Sequence, residues 1–145
     1  FGVSVVGYKT NEFPSFYSRS SGLDKIQKIN TPKGVVDLFM NNQFLEMPCS
    51  TLVANPVPTK DEIKLEKMNS IIKVALSKLH KQRIKGKDVT PFLLDALLKE
   101  TNGKSLETNV SLALNNVRLG AEIAKELNEE KKLSRLDSKR SSQKP

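Results

Sequence analysis

The stretch from Ser105 to Leu127, SLETNVSLALNNVRLGAEIAKEL, constrains this chain more than any other. Leu106, Val110, Ala113, Val117, Ala121 and Ala124 recur with the helical period on one face. Leu112, Leu119, Ile123 and Leu127 occupy an adjoining one. A surface helix carries a single apolar stripe, so a helix apolar over this wide an arc is expected inside a larger body. Asn109 and Asn116, seven residues apart and nearly in line, share the face of Leu112, Leu119 and Ile123. A buried carboxamide costs about 1–3 kcal/mol unless its donors and acceptor are paired. These side chains therefore either satisfy neighbouring backbone groups or face a polar ligand such as an imide-bearing ring, which an amide reads from both sides. Spacing leaves both open.

Composition narrows the surroundings. The 145 residues suffice for one domain with a real core, and 37% hydrophobic with 28% charged residues is a globular balance. No apolar run approaches the ~20 residues of a membrane helix, and no signal-peptide pattern opens the chain. An opening at Phe1, without Met and close to a strand, predicts a fragment or a processed chain. The single cysteine, Cys49, excludes an internal disulfide and fits a reducing compartment. With one cysteine and one histidine, a His/Cys zinc site has no ligand set. His80, inside KLHKQR, reads as a solvated residue of a helix's last turn rather than a base. Of the net charge of +8, residues 131–145 carry +5, with six basic side chains against Asp137. That segment is rich in Ser, Lys and Arg and holds no aromatic residue to stack a base, so it reads as a solvated linker or terminus, with nucleic-acid binding through it a weaker, unsupported alternative.

Taken in order, Val3–Tyr8 is a β-branched run that predicts a buried strand. The loop Thr10–Gly22 follows, punctuated by Pro14 and Gly22. Phe13, Phe16 and Tyr17 make it too aromatic for a bare connection, and such a loop either lines a crevice or packs over a neighbour. Thr31-Pro32 marks a helix start, running to about Asn42. Ser50–Asn55 predicts a second buried strand stopped by Pro56 and Pro58, with Asn55 delivered to its end. An amphipathic helix is expected from Lys60 to about Arg83, with Leu65, Met68, Ile72, Ala75 or Leu76, and Leu79 as its stripe. Thr90-Pro91 repeats the cap-plus-proline signal, Asn102-Gly103 ends that helix, and Ser105 is expected to cap the next. Two strands against four helices is too little sheet to stand alone, which predicts part of a larger α/β protein or of an obligate oligomer.

Four motifs in this order, GYKTNEFPSFYSRSSG, LVANPVP, GKDVTPFLLDALLKETNGKSLETN and NVSLALNNVRLGAEIA, resemble the C-terminal half of the pseudouridine-5′-phosphate glycosidase (indigoidine-synthase-A-like) family. The likeness covers residues 1–127, leaving 128–145 as a basic Ser/Lys/Arg-rich tail or linker. The resemblance implies an α/β/α layered enzyme, here its C-terminal part with about two strands and four helices. It also implies a homotrimer, and a divalent metal, manganese, held by residues this chain lacks. The implied reaction is reversible cleavage of the C–C glycosidic bond of pseudouridine 5′-phosphate to uracil and ribose 5-phosphate through a lysine Schiff base, a glycosidase or lyase chemistry.

Carried over residue by residue, most of that machinery falls upstream of Phe1: the nucleophilic lysine, the acid/base glutamate, the phosphate contacts and the metal ligand. Lys87 and Lys104, beside glycines, read as solvated loop residues. The resemblance implies one contact here, Asn109 of SLETN on the base side of the substrate. Thr90 of the TPF motif is a second candidate substrate contact, or an N-cap. Asn55 and Asn116 receive no role. Family members commonly carry glycines where this chain has Glu46–Ser50, and proline at Ser4. Some continue into a sugar-kinase domain, for which the basic tail would be the linker. The implied location is cytoplasmic, or organellar behind an upstream targeting segment. The rival expectation is a truncated, non-catalytic interaction or oligomerisation module of the same family.

Overall fold

The computed structural model describes residues 2–23 and 25–141. Three strands, β1 (Gly2–Tyr8), β2 (Gln27–Ile29) and β3 (Cys49–Ala54), combine with four helices, α1 (Pro32–Phe44), α2 (Leu65–Lys81), α3 (Val89–Glu100) and α4 (Lys104–Ser141). Short 3₁₀ turns at Thr59–Asp61 and Gly86–Asp88 precede α2 and α3. The sheet is parallel throughout with β1 in the middle, in the order β2-β1-β3. The sequence reading missed β2. Its three residues, QKI, hold no β-branched run, and β1 recruits them, a pairing prolonged by Lys9 N–H donating to Ile29 O at 2.8 Å.

One face of the sheet is covered. Thr51 and Val53 of β3 meet Val35, Val36 and Phe39 of α1 and Ile123 and Leu127 of α4 around an apolar space of about 200 Å³. On the other face Val3 is 61% and Leu52 47% exposed, so β1 and β3 are half-buried rather than buried strands. The reason is that α2 and α3 gather a separate core of Tyr17, Ile63, Met68 and Leu97, with Ile71 and Ile72 beside it. Parallel sheets are ordinarily covered on both faces, and this one has a face without cover among the described residues.

Local chemistry sets the helix ends. Thr31 caps α1 as expected, its hydroxyl accepting from Gly34 N–H at 3.1 Å with Pro32 at the first position. Helix α2 starts at Leu65, not Lys60, because the backbone is extended at Glu62 and both Glu62 and Ile63 bond to the loop residues Tyr17, Ser18 and Arg19. Thr90 does not cap α3. The 3₁₀ turn leads straight into a helix that begins at Val89, and Thr90 is exposed at its second position. Nor does Ser105 cap α4. The Thr101 hydroxyl accepts from Ser105 N–H at 3.0 Å, and Asn102 and Gly103 make the turn with positive φ of 50° and 86°. Helix α4 also continues past Leu127, through Glu, Lys and Leu residues with no Gly or Pro to stop it. Residues 142–145 of the basic segment lie outside the described residues.

Gly7, buried near the end of β1, marks the closest backbone approach. A Cβ there would overlap the Thr10 carbonyl oxygen and come within 2.9 Å of Thr10 Cγ2, whereas one on Gly2 would meet nothing within 4 Å. Gly7→Ala is expected to destabilise by about 1–3 kcal/mol, the scale of overpacking, and Gly2→Ala to leave stability unchanged. Urea unfolding of the two variants checks this, and equal midpoints would refute the tight turn after β1.

Candidate functional site

Parallel strands deliver their C-terminal ends to one edge, the usual place for a ligand in α/β proteins. Here Tyr8 closes β1 and the chain turns through Lys9, a non-glycine residue at φ 57°. The aromatic loop that follows is held by Glu12. Its carboxylate accepts from Ser20 Oγ at 2.7 Å, from Ser21 N–H at 2.8 Å and from Gly22 N–H. These donors hold Glu12 below the ordinary carboxylate pKa.

The same loop is sewn to the segment after β3. Ser18 Oγ donates to Ile63 O at 2.6 Å, and Ile63 N–H donates to Tyr17 O at 3.0 Å. Arg19 reaches twice, from its N–H to Glu62 Oε1 at 2.9 Å and from Nη1 to Val57 O at 2.7 Å. Burial pushes the Glu62 carboxyl up, but the Arg19 N–H and the Lys64 ammonium at 2.9 Å outweigh it and the net shift is downward. From the other side α4 donates Thr108 Oγ1 to Asp61 O at 2.7 Å, Ser111 Oγ to the Asp61 carboxylate and Asn115 Nδ2 to Pro56 O at 3.1 Å.

Two clefts flank this seam. The first, about 250 Å³, lies at the ends of β1 and β3 and is lined by Lys9, Arg19, Asn55, Asn115 and Arg118 over the Tyr8 ring. The second, about 270 Å³, is lined by Tyr17, Leu94, Leu98, Ser105 and Asn109. Asn109 thus sits half-buried in a cleft with an aromatic ring, three leucines and the Asp95 carboxylate, an aromatic wall and an amide being suited to a flat ring with an amide edge. Thr90 lines neither cleft. Asn55 and Asn116 are brought together, Asn55 Nδ2 donating to Asn116 Oδ1 at 3.0 Å. His80 is exposed in the last turn of α2, Lys87 is exposed, and Lys104 opens α4 facing Glu107.

The wide apolar arc of α4 resolves unexpectedly. Leu106, Val110, Leu114 and Val117 are exposed, Val117 by 70%, while Ser105, Thr108 and Leu119 are buried. Sequence reading also passed over Lys9, Arg19, Asn115 and Arg118. A lone arginine in the serine-rich FYSRSSG loop was the one available signal. Among the described residues no three His, Cys, Asp or Glu side chains converge on a point, so the donors present do not fit a metal. Among them, too, no helix is long and apolar enough to cross a membrane.

Comparison with known proteins decides the family. The family model for indigoidine synthase A like proteins matches residues 1–126. The chain belongs to the indigoidine synthase A-like family. Relatives named pseudouridine-5′-phosphate glycosidase are 41% identical over 128 residues in Petrotoga mobilis and 46% over 124 in Legionella pneumophila, covering 88% and 86% of this chain. The matches span only 42% and 40% of those relatives. An indigoidine synthase A-like protein of Thermotoga maritima superposes with a TM-score of 0.70 at 36% identity, over 84% of this chain and 40% of that one. The prealnumycin C-glycosynthase AlnA, in complex with ribulose 5-phosphate, superposes at 0.81 with 22% identity, over 89% and 42%, a likeness of fold.

Glu62 gives this family member a pH signature. Its folded pKa lies below the ordinary 4.5, so its contribution is complete above 4.5 and is lost as pH falls through the folded value. Glu62→Gln is expected to lower stability by about 1–2 kcal/mol at neutral pH, with the difference from the parent narrowing below pH 4.5. Denaturant midpoints measured from pH 7 to pH 3 check this, and a constant difference would show that Glu62 does not carry it.

Proposed function

We propose that this chain supplies the base-recognising part of a pseudouridine-5′-phosphate glycosidase. The observation that carries the reading is the family match across residues 1–126, with relatives of that name at 41–46% identity. The geometry supports it: Asn109 presents a carboxamide in a cleft walled by Tyr17, Leu94 and Leu98. In this reading uracil lies against the Tyr17 side and exchanges hydrogen bonds with Asn109 through its imide edge. The lysine that forms the Schiff base, the acid/base glutamate and any manganese ligands belong to the part of the relatives' length that the match does not span. A homotrimer and a cytoplasmic setting follow from the same reading.

A second reading, a non-catalytic interaction module, draws on the exposed stripe of Leu106, Val110, Leu114 and Val117. One experiment separates the two. Residues 1–126 replace the matching segment of the Petrotoga mobilis glycosidase, and uracil release from pseudouridine 5′-phosphate is followed. The glycosidase reading expects turnover by the chimera, none by the isolated chain, and a loss of kcat/KM of about tenfold or more for Asn109→Ala, the scale of one substrate hydrogen bond. A folded chimera without turnover would favour the module. Full turnover with Asn109→Ala would remove that residue from the pocket.

A further inference from the structure

Tyr17 and Ser105 are placed as core residues, 8% and 4% exposed, yet each carries a hydroxyl that the core does not use. The Tyr17 ring packs with Ile63, Met68 and Leu97 and meets Phe16 edge-on, 4.8 Å between centroids. Its main chain is tied down as well, Tyr17 O accepting from Ile63 N–H at 3.0 Å. In the first turn of α4, Ser105 N–H donates to Thr101 Oγ1 at 3.0 Å. Among the described residues neither hydroxyl has a hydrogen-bond partner, and the Asn109 carboxamide has none either. A buried tyrosine hydroxyl ordinarily finds a partner, and one left without loses stability. Phenylalanine at 17 and alanine at 105 would pack as well without that cost, alanine with the better helix propensity. Nor are the two hydroxyls sealed in. Among the described residues the enclosed polar side-chain atoms without a partner are Asn42 Nδ2 and Thr51 Oγ1, so those of Tyr17 and Ser105 open onto the cleft of about 270 Å³ that both residues line with Asn109.

We propose that Tyr17 and Ser105 are specificity-determining residues of this cleft, their hydroxyls donating to the two carbonyls of an imide-bearing ring whose N–H is taken by the Asn109 amide oxygen. The inference deepens the base-recognising role of Asn109, and the class of ligand rests on that reading. An imide edge presents two acceptors flanking one donor, and two hydroxyls with one amide oxygen supply the complement in number and kind. A ring that lacks one carbonyl leaves one hydroxyl without a partner inside a largely buried site, so the full imide alone satisfies all three groups. Burial raises the Tyr17 pKa, which keeps the phenol protonated and able to donate at neutral pH. Among the described residues the one charged group on the wall is Asp95, whose Oδ2 is held by Lys99 Nζ at 2.7 Å. An acid there disfavours an anion and suits an uncharged ring.

Amide chemical shifts of the 145-residue chain test this, in titrations with uracil, pyrimidin-2-one and pyrimidin-4-one, the last two each keeping the ring N–H and one carbonyl. Saturable uracil binding is expected, with shifts at Tyr17, Ser105 and Asn109. Tyr17→Phe and Ser105→Ala should each weaken uracil binding about tenfold, the scale of one hydrogen bond. Ser70→Ala, at an exposed position of α2, should change it by less than about twofold, as a surface substitution does. Each of the two variants should keep its full effect on one analogue and lose it on the other. Without ligand, their urea midpoints should equal or exceed the parent's, since neither hydroxyl holds the fold. A lowered midpoint, outright unfolding included, assigns the hydroxyls to packing and overturns the inference. Unaltered uracil affinity, or equal losses with both analogues, does the same. Weakening by Asn109→Ala alone overturns the two hydroxyls and leaves Asn109 standing, whereas weakening by Tyr17→Phe and Ser105→Ala alone supports them and removes Asn109. A chain that binds no uracil also overturns the inference, while turnover of the chimera and its dependence on Asn109 still decide the wider reading.

Discussion

The segment from Asn55 to Ile63 depends on being hydrogen-bonded from two sides, and the rest of the molecule is arranged to do this. Beyond one short 3₁₀ turn it has no regular structure, and Pro56 and Pro58 remove two of its own donors. Buried main-chain carbonyls in such a segment must find donors elsewhere. Those of Val57 and Ile63 find them in Arg19 and Ser18, and those of Pro56 and Asp61 in Asn115 and Thr108. The aromatic loop is thereby linked to α4 through this segment. Tyr17 on one side and Lys9 and Arg19 on the other acquire defined positions above the strand ends.

This requirement explains why α4 turns an unexpected face inward. Periodicity states which residues share a face, and it did so correctly for Leu112, Leu119, Ile123 and Leu127. It does not state which face is covered. Near its start the helix packs on a segment of otherwise unpaired polar groups, so small hydroxyl and amide side chains at 108, 111 and 115 are worth more there than leucines. Only from Leu119 onward, where the neighbours are β3 and α1, does the inward face become apolar. A polar inward stretch pushes the apolar stripe of Leu106, Val110 and Val117 outward.

What was legible in the sequence was therefore local and self-contained. The strand ending at Tyr8, the strand ending before Asn55, and the Thr31 cap with Pro32 each rest on chemistry within a few residues. Thr90 and Ser105 misled because a cap is defined by main-chain geometry upstream: a preceding 3₁₀ turn displaced one, and Thr101 displaced the other. β2 was invisible because pairing with β1, and not its own residues, makes it a strand. Of the clefts, Asn109 came through resemblance, whereas Lys9, Arg19 and Arg118 stand 10 and 99 residues apart in sequence and converge only in the fold.

The uncovered surfaces share one physical origin. Among the described residues, a parallel sheet with Val3 and Leu52 open to water and a helix with leucine and valine along its outer side both lack an apolar partner that burial would reward at roughly 25 cal/mol per Å². The matched relatives and solved structures are more than twice as long as the segment this chain matches. Clefts persist at an edge whose polar groups are satisfied while its neighbours are not. The two candidate clefts lie on either side of the Asn55–Ile63 seam, one polar and cationic, the other lined by Tyr17, leucines, Asp95 and Asn109.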